Sequence, residues 1–164
     1  MIYSKTSEYA IRVLVHFAKM NGGKSLKIRQ VSRATGVPQA YLAKVLLCLV
    51  RKRFLKSEPG PTGGFSLQAD LSKLSVYEVL AAVDDFPGSQ FSSCVMGLNQ
   101  CNDKTPCILH EAWVEAKNEI LSILSKATIQ DLVTHPSNFR FGSPKRITLS
   151  KSMRSIFHHP HADK

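Results

Sequence analysis

Cys94, Cys101, Cys107 and His110 fall within seventeen residues, in the spacing Cys-x6-Cys-x5-Cys-x2-His. Thiolates and an imidazole this close in sequence suit a soft or borderline metal, whose ligands must converge within a few ångströms. Gly97, Asn99, Asn102, Asp103 and Pro106 lie among them and favour a turning loop over a buried strand. On bare chemistry the set admits a Cys₃His zinc site, a thiol sensor, a Cys94–Cys101 disulfide or an inert loop. A reduced cytoplasmic setting favours metal binding over the disulfide. The fourth cysteine, Cys48, stands among apolar residues as a small core side chain. His158, His159 and His161 cluster near the C-terminus without a scaffold to direct them.

These ligands need elements to hold them. Ahead of them, residues 7–20 carry Ile11, Leu14, Val15 and Ala18 at helical spacing, with Ser7 as N-cap and Asn21-Gly22-Gly23 as the stop. A second helix is expected near Ile28–Thr35, then a Gly36-Val37-Pro38 turn, then a third helix over about Pro38–Arg53. The third places Leu42, Val45, Leu46 and Leu49 on one stripe, with Ala40, Lys44, Leu47 and Arg51 opposite. Helix, glycine turn, helix is the helix-turn-helix order. Phe54-Leu55, a Gly/Pro-rich tip at Glu58–Gly64 and Phe65-Ser66-Leu67 then predict a β-hairpin, which completes a winged helix.

Ser75–Val83 reads as a short helix, and Asp84–Ser93 as loop. After the cysteine loop, Leu109, Trp113, Ala116, Ile120, Ile123 and Leu124 predict a helix over about Pro106–Lys126, with Trp113 in the core or an interface. Some twenty residues make a rod of about 30 Å. Its stripe is best covered by the same helix of a second copy, so a homodimer is expected. Thr128–Val133 predicts one more helical turn. The fold class is therefore mainly α with a small β-wing: a winged helix-turn-helix over 1–70, a sensor loop and dimerisation helix over 71–133, and a basic, disordered tail over 134–164.

Charge points to the partner. The net charge of +10 is uneven: residues 1–70 hold twelve Lys/Arg against three Asp/Glu, and residues 71–138 hold four against eight. A basic N-terminal half suits a localised polyanion contact, with double-stranded DNA as the leading partner and a palindromic operator matching a two-fold dimer. In a winged helix the third helix enters the major groove, which makes Gln39, Tyr41 and Lys44 candidate base or phosphate contacts. Arg29, Arg33, Arg51, Lys52 and Arg53 are candidate phosphate contacts, and Thr62 and Gly63 stand at the wing tip. No run of about 18 apolar residues exists to span a membrane. The N-terminus carries Glu8 and Arg12 within its apolar stretch, unlike a signal peptide, and a cytoplasmic protein is expected. Nothing in the chain has the frame of a phosphate loop, a nucleophile elbow or paired histidines on a helix, which argues against an enzyme. A zinc-knuckle RNA module is disfavoured by the scarcity of aromatics around the loop.

Five pieces in order carry a family resemblance: S-E-Y-A-I-R at Ser7–Arg12, I-R-Q-V-S-x-x-T-G-V-P at Ile28–Pro38, Y-L-x-K-V-L at Tyr41–Leu46, G-P-x-G-G-F-x-L at Gly60–Leu67, and the three-cysteine loop before a long helix. Over about residues 1–133 the chain resembles the IscR/NsrR-type, or Rrf2, family of bacterial winged-helix regulators. The resemblance implies a homodimeric transcription regulator, most often a repressor, with an iron–sulfur cluster on Cys94, Cys101 and Cys107. His110 matches the IscR-type fourth ligand, which implies [2Fe–2S]. In NsrR-type members an acidic residue near position eight of the other subunit can serve a [4Fe–4S] centre, and Glu8 stands there. The first cysteine gap is six residues where the family commonly has five. The alternative is a zinc- or thiol-based regulator of the same family without a cluster.

Overall fold

The computed structural model describes residues 3–20, 24–61, 63–84, 86–98 and 101–135. The Asn21-Gly22-Gly23 stop, Thr62 and the tail from Pro136 lie outside them. Seven helices and one hairpin follow in order among the described residues: α1 (Lys5–Lys19), α2 (Ile28–Thr35), α3 (Gln39–Arg51), β1 (Leu55–Glu58), β2 (Gly64–Leu67), α4 (Val76–Val83), α5 (Gly88–Ser92), α6 (His110–Lys126) and α7 (Ile129–Thr134). The chain is thus mostly helical with a two-stranded antiparallel sheet.

Helix α1 is the centre of the body, packed by α2, α3, α4, α7 and β2. Its Ala10, Val13 and Leu14 are fully buried. It begins three residues earlier than the expected Ser7 cap. Ser4 is the cap, accepting from the Thr6 and Ser7 amides at 3.1 and 3.2 Å. Ser7 is instead an interior residue, fully buried, whose hydroxyl donates to Asp84 Oδ2 at 2.5 Å. The Ser4 amide donates to the same oxygen at 3.3 Å. This carboxylate ties the start of α1 to the point where the chain leaves α4 for the cysteine loop. Ser7→Ala is expected to cost about 1–3 kcal/mol, because it removes a buried donor from a carboxylate. Urea unfolding should show a lower midpoint at unchanged m.

Helix α2 occupies the span expected of it, and Gly36 (φ 70°) turns the chain in a left-handed conformation that glycine adopts without a Cβ penalty. Ser32 Oγ donates forward across the turn to the Val37 carbonyl, and Thr35 Oγ1 donates back to the Val31 carbonyl, at 2.7 Å each. Pro38 stands at the N-cap of α3, so the helix begins at Gln39, one residue after the expected start at Pro38. Leu42, Val45, Leu46 and Leu49 bury one face of α3 while Lys44, Leu47 and Arg51 are exposed, matching the amphipathic reading. The hairpin pairs Leu55 with Leu67 and Glu58 with Gly64, and Leu26 bridges to Phe65 as an added edge. Gly63 allows the tight tip. A Cβ there would stand 2.1 Å from the Glu58 carbonyl oxygen.

Helix α4 is capped by a reciprocal Ser75–Glu78 box and α7 by a Thr128–Asp131 box. A Ser75–Thr128 bridge lies between those two caps. One core runs from Ala10 through Leu80 to Ile129, so α4 and α7 share it with the helix-turn-helix. Two expectations shift here. Asp84–Ser93 is not all loop, since Gly88–Ser92 forms the short α5. The long helix starts at His110, not Pro106, so its 17 residues span about 25 Å.

Candidate metal centre and nucleic-acid interface

The cysteine segment is anchored at both ends. Cys94 follows α5 and is buried, while His110 opens α6 and is also buried. Between them Asn102 builds a turn, its Oδ1 accepting from the Lys104 and Thr105 amides at 3.0 Å each. The Gly97 amide reaches the Cys94 carbonyl at 3.0 Å, and the His110 amide reaches the Cys107 carbonyl at 3.0 Å. All three cysteines of the loop are free thiols.

The four expected ligands come together as two pairs. Cys94 Sγ lies 3.7 Å from Cys107 Sγ, and Cys101 Sγ lies 3.5 Å from His110 Nδ1. Two sulfurs bonded at about 2.3 Å to one tetrahedral metal stand roughly 3.7–3.8 Å apart. A sulfur and a nitrogen at about 2.3 and 2.0 Å stand roughly 3.5 Å apart. Each pair thus has the separation of one edge of a tetrahedral coordination sphere. Among the described residues, no three His, Cys, Asp or Glu side chains gather around a common point.

Electrostatics favours thiolate at Cys94. The Cys94 thiol is held below the ordinary thiol range, first by the Met96 backbone N–H; burial opposes this, and the Leu98 N–H, Cys107 and the Lys117 ammonium add to it. Lys117 Nζ also donates to Cys101 Sγ at 3.7 Å and to the Phe91 carbonyl at 2.9 Å. Trp113, one turn earlier on α6, donates its indole N–H to the Ser93 carbonyl at 3.2 Å and lies 5.9 Å below the Lys117 ammonium. Trp113 and Lys117 therefore clamp the start of the loop to α6. Their i, i+4 spacing was the signal available in the sequence, but it points equally to an apolar stripe and a polar neighbour. His110 Nε2 meets Asp103 Oδ1 at 2.8 Å, a contact that spacing alone does not reveal.

Glu8 is placed differently. It lies in the first turn of α1, with Lys5 Nζ on one carboxylate oxygen at 2.7 Å and Arg12 on the other. Burial raises its pKa, yet the bonds and charges of Lys5 and Arg12 outweigh that and leave it below the usual carboxylate range. Its oxygens are committed within its own helix. Cys48 is half-buried, with Sγ 3.4 Å from the Ala82 carbonyl, and so belongs to the α3–α4 contact.

Of the residues expected to meet DNA, Arg29 and Arg33 are exposed on α2, and Gln39, Tyr41, Lys44 and Arg51 are exposed on α3. Gly63 sits half-buried at the wing tip. Tyr41 is 60% exposed, yet its ring meets Tyr9 edge-on at 6.2 Å, and Lys5 lies 5.6 Å over the Tyr9 ring. Tyr9 and Lys5 thus support the first turn of α3 from α1. No helix of the described residues is long and apolar enough to cross a membrane.

The comparisons with known proteins agree with this architecture. The family model Rrf2, described as an iron-dependent transcriptional regulator, matches residues 3–135. A helix-turn-helix-type transcriptional regulator (by description) of Aquifex aeolicus is 30% identical over 135 residues, covering 81% of this chain and 92% of that protein. The regulator IscR of Vibrio parahaemolyticus is 25% identical over 134 residues, covering 82% and 78% respectively. The structure of CymR, the global cysteine regulator of B. subtilis, superposes with a TM-score of 0.68 at 16% identity, covering 81% of this chain and 96% of that one. A winged helix followed by a cysteine loop and a long helix, matched over residues 3–135, makes this chain a member of the Rrf2 family of transcriptional regulators, a family of regulators and not of enzymes.

Proposed function

We propose that the chain is a homodimeric DNA-binding repressor that senses iron–sulfur status, redox state or nitric oxide through a [2Fe–2S] cluster. Cys94 and Cys107 would hold one iron, and Cys101 and His110 the other. The observation that carries this is the two-by-two pairing at 3.7 and 3.5 Å. Each iron of a [2Fe–2S] centre takes two protein ligands, and histidine is an accepted substitute for cysteine there. A single zinc ion needs all four donors around one point, and a four-iron centre needs one ligand per iron, set further apart. The engaged carboxylate of Glu8 also speaks for His110 as fourth ligand. The similarity to IscR over most of the chain supports the same reading.

When bound, the cluster supplies a redox-active, chemically labile iron–sulfide unit that oxidants, nitric oxide or iron shortage can disassemble. What this chain contributes is position. Ligation would hold the four donors in one arrangement, and the start of the loop is fixed to α6 through Trp113 and Lys117. Ten residues ahead of Cys94, the C-cap of α4 is tied to α1 through Asp84 and Ser7. Two copies joined along α6 would convert that arrangement into the spacing of two α3 helices. The apolar stripe of α6 supports the dimer. Leu124 packs on the core of its own chain, but Ile123 is 56% exposed and Leu109 is exposed as well.

The test is operator affinity of cluster-loaded and cluster-free protein at fixed salt. A difference of tenfold or more is expected, and equal affinities would exclude the switch. Within the same assay Lys44→Ala should weaken specific binding by about 1–3 kcal/mol if α3 reads the major groove. Arg33→Ala should weaken all sequences alike and lower the salt slope by about 1. A thiol switch without iron is the second reading, favoured by the same close Cys94–Cys107 pair. Colour separates the two, since anaerobically purified protein with a cluster is brown or red.

A further inference from the structure

Asp103 does no work in its own turn. The turn is built by Asn102, whose side-chain oxygen takes the Lys104 and Thr105 amides and the Thr105 hydroxyl. The Asp103 side chain is 98% exposed, yet Oδ1 stands 2.8 Å from Nε2 of His110, whose own side chain is only 10% exposed. An ionised carboxylate can only accept. Neutral imidazole carries one N–H, and the acceptor beside Nε2 places it there. Nδ1 is then left with a free lone pair, and it is this atom that faces Cys101 Sγ at 3.5 Å.

We infer that Asp103 is a positioning residue for His110, fixing the tautomer and ring orientation that present Nδ1 as the metal-binding atom. This rests on the proposed cluster with His110 as a ligand. A carboxylate on the distal nitrogen of a ligating histidine raises its basicity and holds its ring, and losing such a partner commonly weakens metal holding 10–100-fold. The sensor would thereby have one ligand whose grip depends on a solvent-exposed carboxylate. The three thiolates have no equivalent dependence on Asp103.

The test uses the full chain, reconstituted anaerobically with ferrous iron and sulfide and carrying histidine labelled with ¹⁵N at Nδ1. Pulsed electron paramagnetic resonance of the reduced protein should show strong coupling to the labelled nitrogen. Asp103→Ala should release iron to a chelator at least tenfold faster and broaden or weaken that coupling, with an unchanged Tm. Asp103→Asn, which still offers an oxygen to Nε2–H but no charge, should keep the nitrogen coupling and release iron at a rate between those of wild type and Asp103→Ala. Asn102→Ala separates orientation from loop integrity: it should speed iron release without altering the nitrogen coupling. Coupling through Nε2 in the wild type would overturn the inference, as would an Asp103→Ala protein matching wild type in both readouts. The same holds if Asp103→Ala and Asn102→Ala prove alike in both. A wild-type protein without any cluster would overturn the proposed function itself, and a cluster lacking histidine coupling would remove only the fourth ligand.

Discussion

In the Cys107→Ser protein, anaerobic reconstitution is expected to leave no stable visible chromophore and at least tenfold less bound iron than wild type. The substitution removes one member of the 3.7 Å pair and leaves Cys94 without its partner across the site. A serine hydroxyl is not deprotonated at neutral pH and is a poor ligand for iron, so the loss is close to complete. Fold damage does not explain this outcome in advance. Cys107 is only half-buried, and its part in the start of α6 is a backbone carbonyl bond that serine keeps. The variant should bind operator as cluster-free wild type does. Cys48→Ser is the matched control: it should keep its colour, because that thiol lies against Ala82 between α3 and α4.

The second large effect falls on the DNA-reading unit. Leu46 is fully buried on the inner face of α3, beside the equally buried Leu42 and Leu49. Leu46→Ala should cost about 2–5 kcal/mol, combining lost transfer energy with the cavity left behind. Against a total stability of about 5–15 kcal/mol this is a large fraction. A fall in Tm of roughly 5–15 °C is expected by calorimetry. Operator affinity measured well below the new Tm should fall less than in Lys44→Ala, since the exposed face of α3 is untouched. A Leu46→Ala protein with wild-type Tm would mean that α3 is not seated by this stripe.

Much of the fold is legible in the sequence where local chemistry and tertiary packing agree. Helix α2 begins at Ile28 and ends at Gly36 because its apolar spacing and its glycine cap point to the same limits. The amphipathic stripe of α3 and the hairpin were readable for the same reason. Misplaced ends come from residues with two valid roles. Ser7 has the chemistry of a cap, but Asp84, 77 residues away, claims its hydroxyl and Ser4 caps instead. Pro106 could open a helix, yet the chain first makes a turn in which the His110 amide meets the Cys107 carbonyl, and α6 starts at His110. Helix α5 has only five residues, too few for periodicity to register.

The candidate site divides along the same line. Cys94, Cys101, Cys107 and His110 stand out by type and spacing alone, whereas the partition into two pairs is a property of the folded loop. Asp103, Trp113 and Lys117 were visible only as a turn former, a stripe residue and a polar-face charge. Their contacts to Nε2, to the Ser93 carbonyl and to Cys101 cross turns that no sequence period encodes. For the interface with DNA the outward residues of α2 and α3 were legible, but Tyr9 and Lys5 behind Tyr41 were not.

The most direct measurement is Mössbauer spectroscopy of the anaerobic, ⁵⁷Fe-loaded protein in its reduced state. Pairing of Cys94 with Cys107 and of Cys101 with His110 requires two inequivalent irons in equal amounts: a ferric one with all-sulfur ligation and a ferrous one whose parameters change in His110→Cys. A colourless protein holding one zinc per chain, or a four-iron spectrum indifferent to His110, would contradict it.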